Sequence, residues 1–406
     1  MDIKIKNRIY LYAFCTILGS FTGIVIWVFL KVLSAGTSFI WEWLPARIHI
    51  PFYTLLVCTA GGILIGIIHK KYGDYPEELS TVLSKMKKEK FYEYRNMKIL
   101  IISALFPLVI GSSVGPEAGL TGIIVGLCCW AVENLKFAHK NAKEYSEIGM
   151  AVTLSVLFHS PLFGIFAVEE VEQEQTLPEL TRTSKIFIYG LALAAGTGTY
   201  LILNALFGVQ MEGFPSFPAF EPEGIDYLMI VIYIICGCLL ANFYQLIHYI
   251  SHKIAGKIPS IVKETIGGLC LGIIGLLVPA VMFSGEEQMG TLMENYSKYI
   301  PLCLIGIAFL KILMTNICIE SGLKGGHFFP VIFAGVCMGY GIAGLVFSES
   351  AGHVVLGAAI VTAALLGGIM KKPLAVTMLL FLCFPVKMFV WIFLAALIGS
   401  KGIVKM

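Results

Sequence analysis

Apolar residues run along this chain in long blocks, separated by short stretches where charges, glycine and proline collect. The blocks cover roughly residues 9–37, 51–69, 97–112, 119–136, 145–168, 185–207, 226–250, 263–284, 301–319, 328–347, 353–370 and 373–399. A helix needs about 20 apolar residues to cross a bilayer, so the longer blocks predict spanning helices. Several others are short, and many are cut by Gly or Pro. Broken, unequal helices exist at membrane depth only where they are buried in protein or line a cavity.

Composition agrees with the pattern. Of the 406 residues, 57% are hydrophobic and 14% charged, and the mean hydropathy is +0.84. A soluble chain of this length could not bury so much apolar surface, so the expected class is an all-α polytopic membrane protein. The first block is too long for a signal peptide and lacks a cleavage site, so it reads as a retained helix. No soluble regulatory domain is expected.

The formal charge of +3 is spread over loops, which argues against a nucleic-acid partner. Basic residues crowd the N-terminus (Lys4, Lys6, Arg8), the 69–98, 136–143 and 252–263 loops and the C-terminus, while 208–226 contains no Lys or Arg. The positive-inside rule then places both termini in the cytoplasm, 208–226 outside, and the protein in the cell membrane as a multi-pass chain. All 11 cysteines lie in apolar segments without CxxC or CxxH spacing. They read as packing thiols, and neither a metal nor a cofactor is expected. An enzyme finds no support: there is no Gly-rich loop followed by GK, no HExxH and no plausible Ser/His/Asp arrangement.

Three breaks recur at a nearly constant interval. Gly73 in "YGDYPEEL" answers Gly285 in "SGEEQMG", Gly115 in "GPEAG" answers Gly326 in "GHFFP", and Pro161 in "HSPLFG" answers Pro373 in "KKPLAV". The offsets are 212, 211 and 212 residues. This register predicts a degenerate duplication: a first membrane repeat over 1–207, an external linker over 208–225 and a second repeat over 226–406. Corresponding broken helices in membrane repeats meet at a midplane binding site.

The breaks themselves carry the candidate chemistry. "GSSVGPEAG" and "LKGGHFFP" have the composition of loops that end by starting a helix. Glycine lets backbone approach a ligand, and the first helical turns leave N–H groups unpaired at the positive end of the dipole. Two such starts facing each other would hold a small anion without Arg or Lys. Pro116 has no N–H, so the first side's donors would be Glu117, Ala118 and Gly119. Glu117 itself could occupy the anion's place, and a carboxylate at membrane depth is functional by default.

At these residues the chain resembles the CLC chloride channel and transporter family. "GPEAG" is similar to its GxEGP segment, "GHFFP" to GxFxP, and "SPLFGIFAVEE" to PLxGxxFxxEE. The resemblance implies an inverted-repeat bundle of broken, tilted helices that forms a homodimer in the lipid bilayer. It implies that Glu117 is the gating glutamate and also a proton-transfer group. It further implies that Gly115, Glu117, Ala118, Gly326, His327, Phe328 and Gly73 surround the anion, His327 and Phe328 through backbone N–H groups. Glu170 would be the inner proton-transfer residue, or Glu169, because the segment is one residue shorter than usual.

Two departures bear on selectivity. The family's first loop reads GSGIP, with a serine hydroxyl at the anion; here "YGDYP" puts Gly73 or Tyr72 there, with Asp74 beside it. The family's late tyrosine donor has no counterpart, since no tyrosine follows Tyr340. With both hydroxyls missing, weak chloride binding is expected, and Gly73→Ser should strengthen it if Gly73 holds the serine's place. The implied function is transport of chloride or a similar small anion coupled to proton counter-transport. A passive voltage-gated chloride channel and a fluoride/proton antiporter on the same fold remain open. Lys311, alone in an apolar block, is expected to snorkel. Glu320 has no assigned role.

Overall fold

A computed structural model describes residues 3–77, 81, 96–134, 142–169, 182–208, 215–219, 224–347 and 351–402. Among them the chain is helical, and no strand forms. Helix α1 (Ile3–Ser38) runs on through a π-helical turn, Phe39–Trp43, and a last turn, Leu44–Arg47. It is followed by α2 (Tyr53–Tyr72), α3 (Met97–Val109), α4 (Glu117–Asn134), α5 (Ala142–Leu157), α6 (Pro161–Glu169) and α7 (Arg182–Phe207). The second half holds α8 (Gly224–Ala255), α9 (Ser260–Leu277), α10 (Glu286–Asn295) and α11 (Pro301–Glu320). The last four are α12 (Phe328–Val346), α13 (Ala351–Met370), α14 (Pro373–Leu380) and α15 (Phe389–Lys401). Eight helices among the described residues are long and apolar enough to cross a membrane.

Two apolar blocks are each divided. The 145–168 block becomes α5 and α6 because His159 takes a positive φ of 50° between them. The 373–399 block becomes α14 and α15, separated by a turn at Pro385. The second piece of the first block, α6, is tied to the first piece of the other, α14. Ser160 Oγ donates to Met378 O at 2.8 Å, and Lys372 Nζ donates to Ala167 O at 2.7 Å. The lysine thus satisfies a carbonyl that the end of α6 leaves open.

The interior is built on α12 and α13. Their apolar windows are 83% and 89% buried, against 22% for α7, so lipid meets the outer helices and these two meet protein. Small residues let them approach: a Cβ on Gly339 would fall against the backbone of Gly357, and the converse also holds. Helices α2 and α9 cross in the same way at Gly62 and Gly268. Close backbone contact of this kind replaces the hydrophobic drive that is missing between helices in lipid. All 11 cysteines are free thiols.

Lys311 departs from the sequence expectation. It does not snorkel; it is 0% exposed. Its Nζ donates to the carbonyls of Val281, Met282 and Phe283 at 3.0, 3.0 and 2.7 Å. These carbonyls belong to the turn after α9, where no helix continues to supply them with N–H donors. Apolar neighbours on α11 hid the role, because the partners lie about 30 residues away in sequence. Lys311→Met should leave three acceptors without this donor and lower stability by about 3 kcal/mol or more, taking a cost of about 1–3 kcal/mol for each fully stranded group. Thermal unfolding of the purified protein in detergent checks it.

Candidate functional site

The two broken-helix starts meet. Glu117 is the first residue of α4 and Phe328 the first of α12. Just before them the chain forms an isolated antiparallel bridge: Gly115 N–H donates to Gly326 O, and Gly326 N–H to Gly115 O, both at 2.7 Å. The bridge fixes the two helix N-termini against each other. Into the space between reaches the Glu117 side chain, 1% exposed. Its Oε1 accepts the Phe328 N–H at 2.8 Å. Its Oε2 has no hydrogen-bond partner among the described residues.

Glycine is needed at both bridge positions for lack of room. A Cβ built on Gly326 would overlap the Glu117 carboxylate, and one on Gly115 would overlap its Oε2 and come within 2.9 Å of the Phe329 ring. Aromatic rings close one side. Phe158 stacks on Phe329 with centroids 4.6 Å apart and meets Phe328 edge-on at 5.9 Å, while Phe163 meets Phe158 edge-on at 5.0 Å. Behind the carboxylate, Thr121 Oγ1 donates to Glu117 O at 2.7 Å. The result is a buried place, faced by the positive ends of two helix dipoles, that holds a carboxylate. Chemically it can hold one small anion or that carboxylate.

The candidate residues do not all gather there. Gly115 pairs with Gly326, the Glu117 side chain lies against both and takes the Phe328 N–H, and Ala118 is the buried second residue of α4. The His327 backbone caps α12, and its ring lies 4.6 Å from that of Phe328. Gly73 caps the end of α2 instead, its N–H on His69 O at 2.9 Å, and is exposed to solvent. Its φ is +102°, a region that a side chain makes costly. Gly73→Ser is therefore not the clean gain-of-donor test that the sequence suggested. It should cost about 1–2 kcal/mol of stability, read as a lower melting temperature in detergent with no gain in chloride affinity. Glu169 is the last residue of α6, and Glu170 lies outside the described residues.

Asp74, next to Gly73, does not add uncompensated charge. It lies 2.9 Å from Lys324 Nζ, 3.7 Å from Lys263 Nζ and 3.3 Å from His69 Nδ1. Burial pulls its carboxyl upward, but Lys324, Lys263 and His69 outweigh that and hold it below the usual carboxylate range.

Glu286 was not legible as a site residue. It opens α10 after Gly285, whose φ of +103° nearly equals that of its counterpart Gly73. The residue is 9% exposed, and its carboxylate accepts from Ser284 Oγ at 3.2 Å. Burial first, and then the charge of Glu117, push its carboxyl above the ordinary range. Glu286 lines a cavity of about 240 Å³ together with Glu42, Glu287, Val114 and Pro116. In "SGEEQMG" it reads as one of two solvated acids in a first helical turn. The offset pairing of Gly285 with Gly73 was the one signal that marked this turn as special.

Residues 61–402 match the family described as Voltage gated chloride channel. The chain is 24% identical over 339 residues to "Putative ion-transport protein YfeO" of Escherichia fergusonii, covering 79% of this chain and 76% of that protein. It is 24% identical over 335 residues to the protein of the same description in Salmonella paratyphi A, covering 80% and 78%. Among solved structures it resembles a slow cyanobacterial Cl⁻/H⁺ antiporter with a TM-score of 0.77 at 17% identity, over 95% of this chain and 94% of that one. It resembles a CLC-type fluoride/proton antiporter with a TM-score of 0.73 at 18% identity, over 97% and 94%. At these identities the structural likeness shows the fold.

Proposed function

This chain belongs to the voltage gated chloride channel family, and from that premise we propose that it exchanges a small anion for protons across the cell membrane, with Glu117 as both gate and proton carrier. It is a membrane anion transporter, not an enzyme. One observation carries the exchange reading: the Glu117 carboxylate sits where two helix starts converge and takes the Phe328 N–H that an anion would use. When protonated or displaced, the side chain vacates the place and the N–H groups receive the anion; when the anion leaves, the carboxylate returns. Anion and proton then move in opposite directions because they use one carboxylate alternately.

Gly115, Gly326, Ala118, His327 and Phe328 are the anion's backbone surroundings in this proposal, and Glu169 or Glu170 an inner proton group. The repeats over 1–207 and 226–406 are taken as a duplication, which the 211-residue spacing of Glu117 and Phe328 supports. A homodimer with cytoplasmic termini is part of the same reading. Exposed Leu162 on α6, Leu374 on α14 and Val390 on α15 supply apolar surface for lipid or a second copy. Fluoride and chloride are both admitted as substrates, because backbone donors and helix dipoles bind small anions without a fitted pair of hydroxyls.

The test is flux in reconstituted vesicles. A chloride or fluoride gradient imposed without a pH difference should drive protons against the gradient that builds up. Anion movement with no accompanying proton movement would overturn exchange in favour of a passive channel.

A further inference from the structure

Between the end of α8 and the start of α12 stands a line of titratable side chains that the gate does not use. His248 and His252 lie one turn apart on α8, so their side chains share a face. Both reach Glu320, the last residue of α11. His252 Nδ1 is 2.9 Å from its Oε2, and His248 Nδ1 is 3.1 Å from its Oε1. One carboxylate thereby joins two imidazoles through its two oxygens. Exposure changes sharply along the group: the side chain of His252 is 77% exposed, that of His248 39% and that of Glu320 10%.

The line continues toward the anion site. The ring of buried Tyr244, a turn earlier on α8, lies parallel to that of His248 with centroids 6.3 Å apart. On its other side it lies 5.8 Å from the ring of His327. His327 immediately precedes Phe328, whose N–H holds Glu117. The neighbouring charges are engaged elsewhere. Lys324 and Lys263 both face Asp74, Glu264 contacts His69, and Lys253 lies over the Tyr249 ring.

We propose that His252, Glu320, His248 and His327 form the main proton route between the inner surface and Glu117, beside the inner proton group at Glu169 or Glu170. Imidazole suits the task, because it accepts a proton on one ring nitrogen and releases one from the other. A proton taken up from water by His252 displaces the Nδ1 proton to Glu320 Oε2. The carboxyl turns and passes it to His248 Nδ1, and His248 releases one from its second nitrogen. The gap past Tyr244 to His327 exceeds hydrogen-bond length, so this step runs through a bridging water or a turn of the ring. From His327, which immediately precedes the Phe328 whose N–H holds Glu117, a second water carries the proton to the carboxylate. One proton leaves the inner solution, one arrives on Glu117, and the relay returns to its starting charge. The 252–263 loop at the outer end of this line is basic, which places it on the cytoplasmic side.

The inference rests on the exchange reading, and the test separates the two. The full chain is reconstituted as parent, Glu320→Gln, His248→Ala and the paired change His248→Gln with His252→Gln. Chloride and proton fluxes are recorded in the same vesicles. Glu320→Gln should lower protons moved per chloride by about a hundredfold or more, the scale of a lost acid–base group, with chloride flux near the parent's. Imidazole in the inner buffer should restore proton flux to His248→Ala, an effect that a merely structural role would not produce. A parent that moves no protons defeats the exchange reading itself. A coupled parent whose Glu320→Gln keeps the same proton-to-chloride ratio overturns the relay and leaves exchange standing. If Glu320→Gln loses both fluxes through misfolding, the paired histidine variant decides, and an unchanged ratio there overturns the relay.

Discussion

Glu117→Gln is expected to stop proton movement while anion movement stays at the parent's rate or rises. The amide has nearly the same shape, so it fits between Gly115 and Gly326, but it cannot carry a proton. Proton flux should fall by about a hundredfold or more, as expected for removal of an essential acid–base group. Anion flux changes for a different reason. In the parent, Phe328 N–H donates to the Glu117 carboxylate at 2.8 Å; a bond to an ionised acceptor contributes about 1.5–3 kcal/mol, against about 1 for a neutral one. The amide therefore yields the place to an anion more readily, and one or two kcal/mol corresponds to about 5–30-fold in occupancy. Paired chloride and pH recordings on vesicles decide the matter. Equal proton transport by variant and parent would remove Glu117 from the proposed role.

A second large effect is expected at Gly326. The methyl of Gly326→Ala would overlap the Glu117 carboxylate, and overpacking of a tight interior costs about 1–3 kcal/mol. The carboxylate should be forced off the Phe328 N–H, with the new methyl left in the anion's space. Stability should fall by about that amount, and both fluxes should drop by about tenfold or more, since 1.4 kcal/mol corresponds to tenfold. The clash is with one identified side chain, so shortening that side chain should relieve it. In the Glu117→Ala background the same glycine substitution should recover most of the lost melting temperature. If both backgrounds lose equally, the clash lies elsewhere. The double-mutant cycle isolates this pair because the residues touch directly.

Much of this was legible because glycine and proline mark broken helices wherever they recur. The 211-residue spacing placed Glu117 opposite Phe328 before any coordinates, and the apolar blocks located most of the helices. Several features were hidden, each for a physical reason. Lys311 looked like a stray charge because its three carbonyl partners lie on another segment. Gly73 matched a motif position in sequence, but only the backbone reveals that its φ of +102° makes it a helix terminator. Glu286 went unmarked and Glu320 had no assigned role, because burial and His partners are tertiary facts. The π-helical turn at Phe39–Trp43, which lets Trp41 Nε1 reach Val109 O at 2.9 Å, likewise has no local signature.

One place at the crossing of α4 and α12 holds either the Glu117 carboxylate or an anion, and equilibrium binding tests that most directly. Chloride and fluoride are titrated calorimetrically into the detergent-purified parent and into Glu117→Ala. With the competing carboxylate gone and the Phe328 N–H released, affinity should rise by about tenfold or more, the equivalent of the charge-assisted hydrogen bond no longer displaced. The parent itself should bind chloride weakly. Tight binding in the parent with the same affinity in Glu117→Ala would mean that carboxylate and anion do not share the site, and would contradict the proposed exchange at its root.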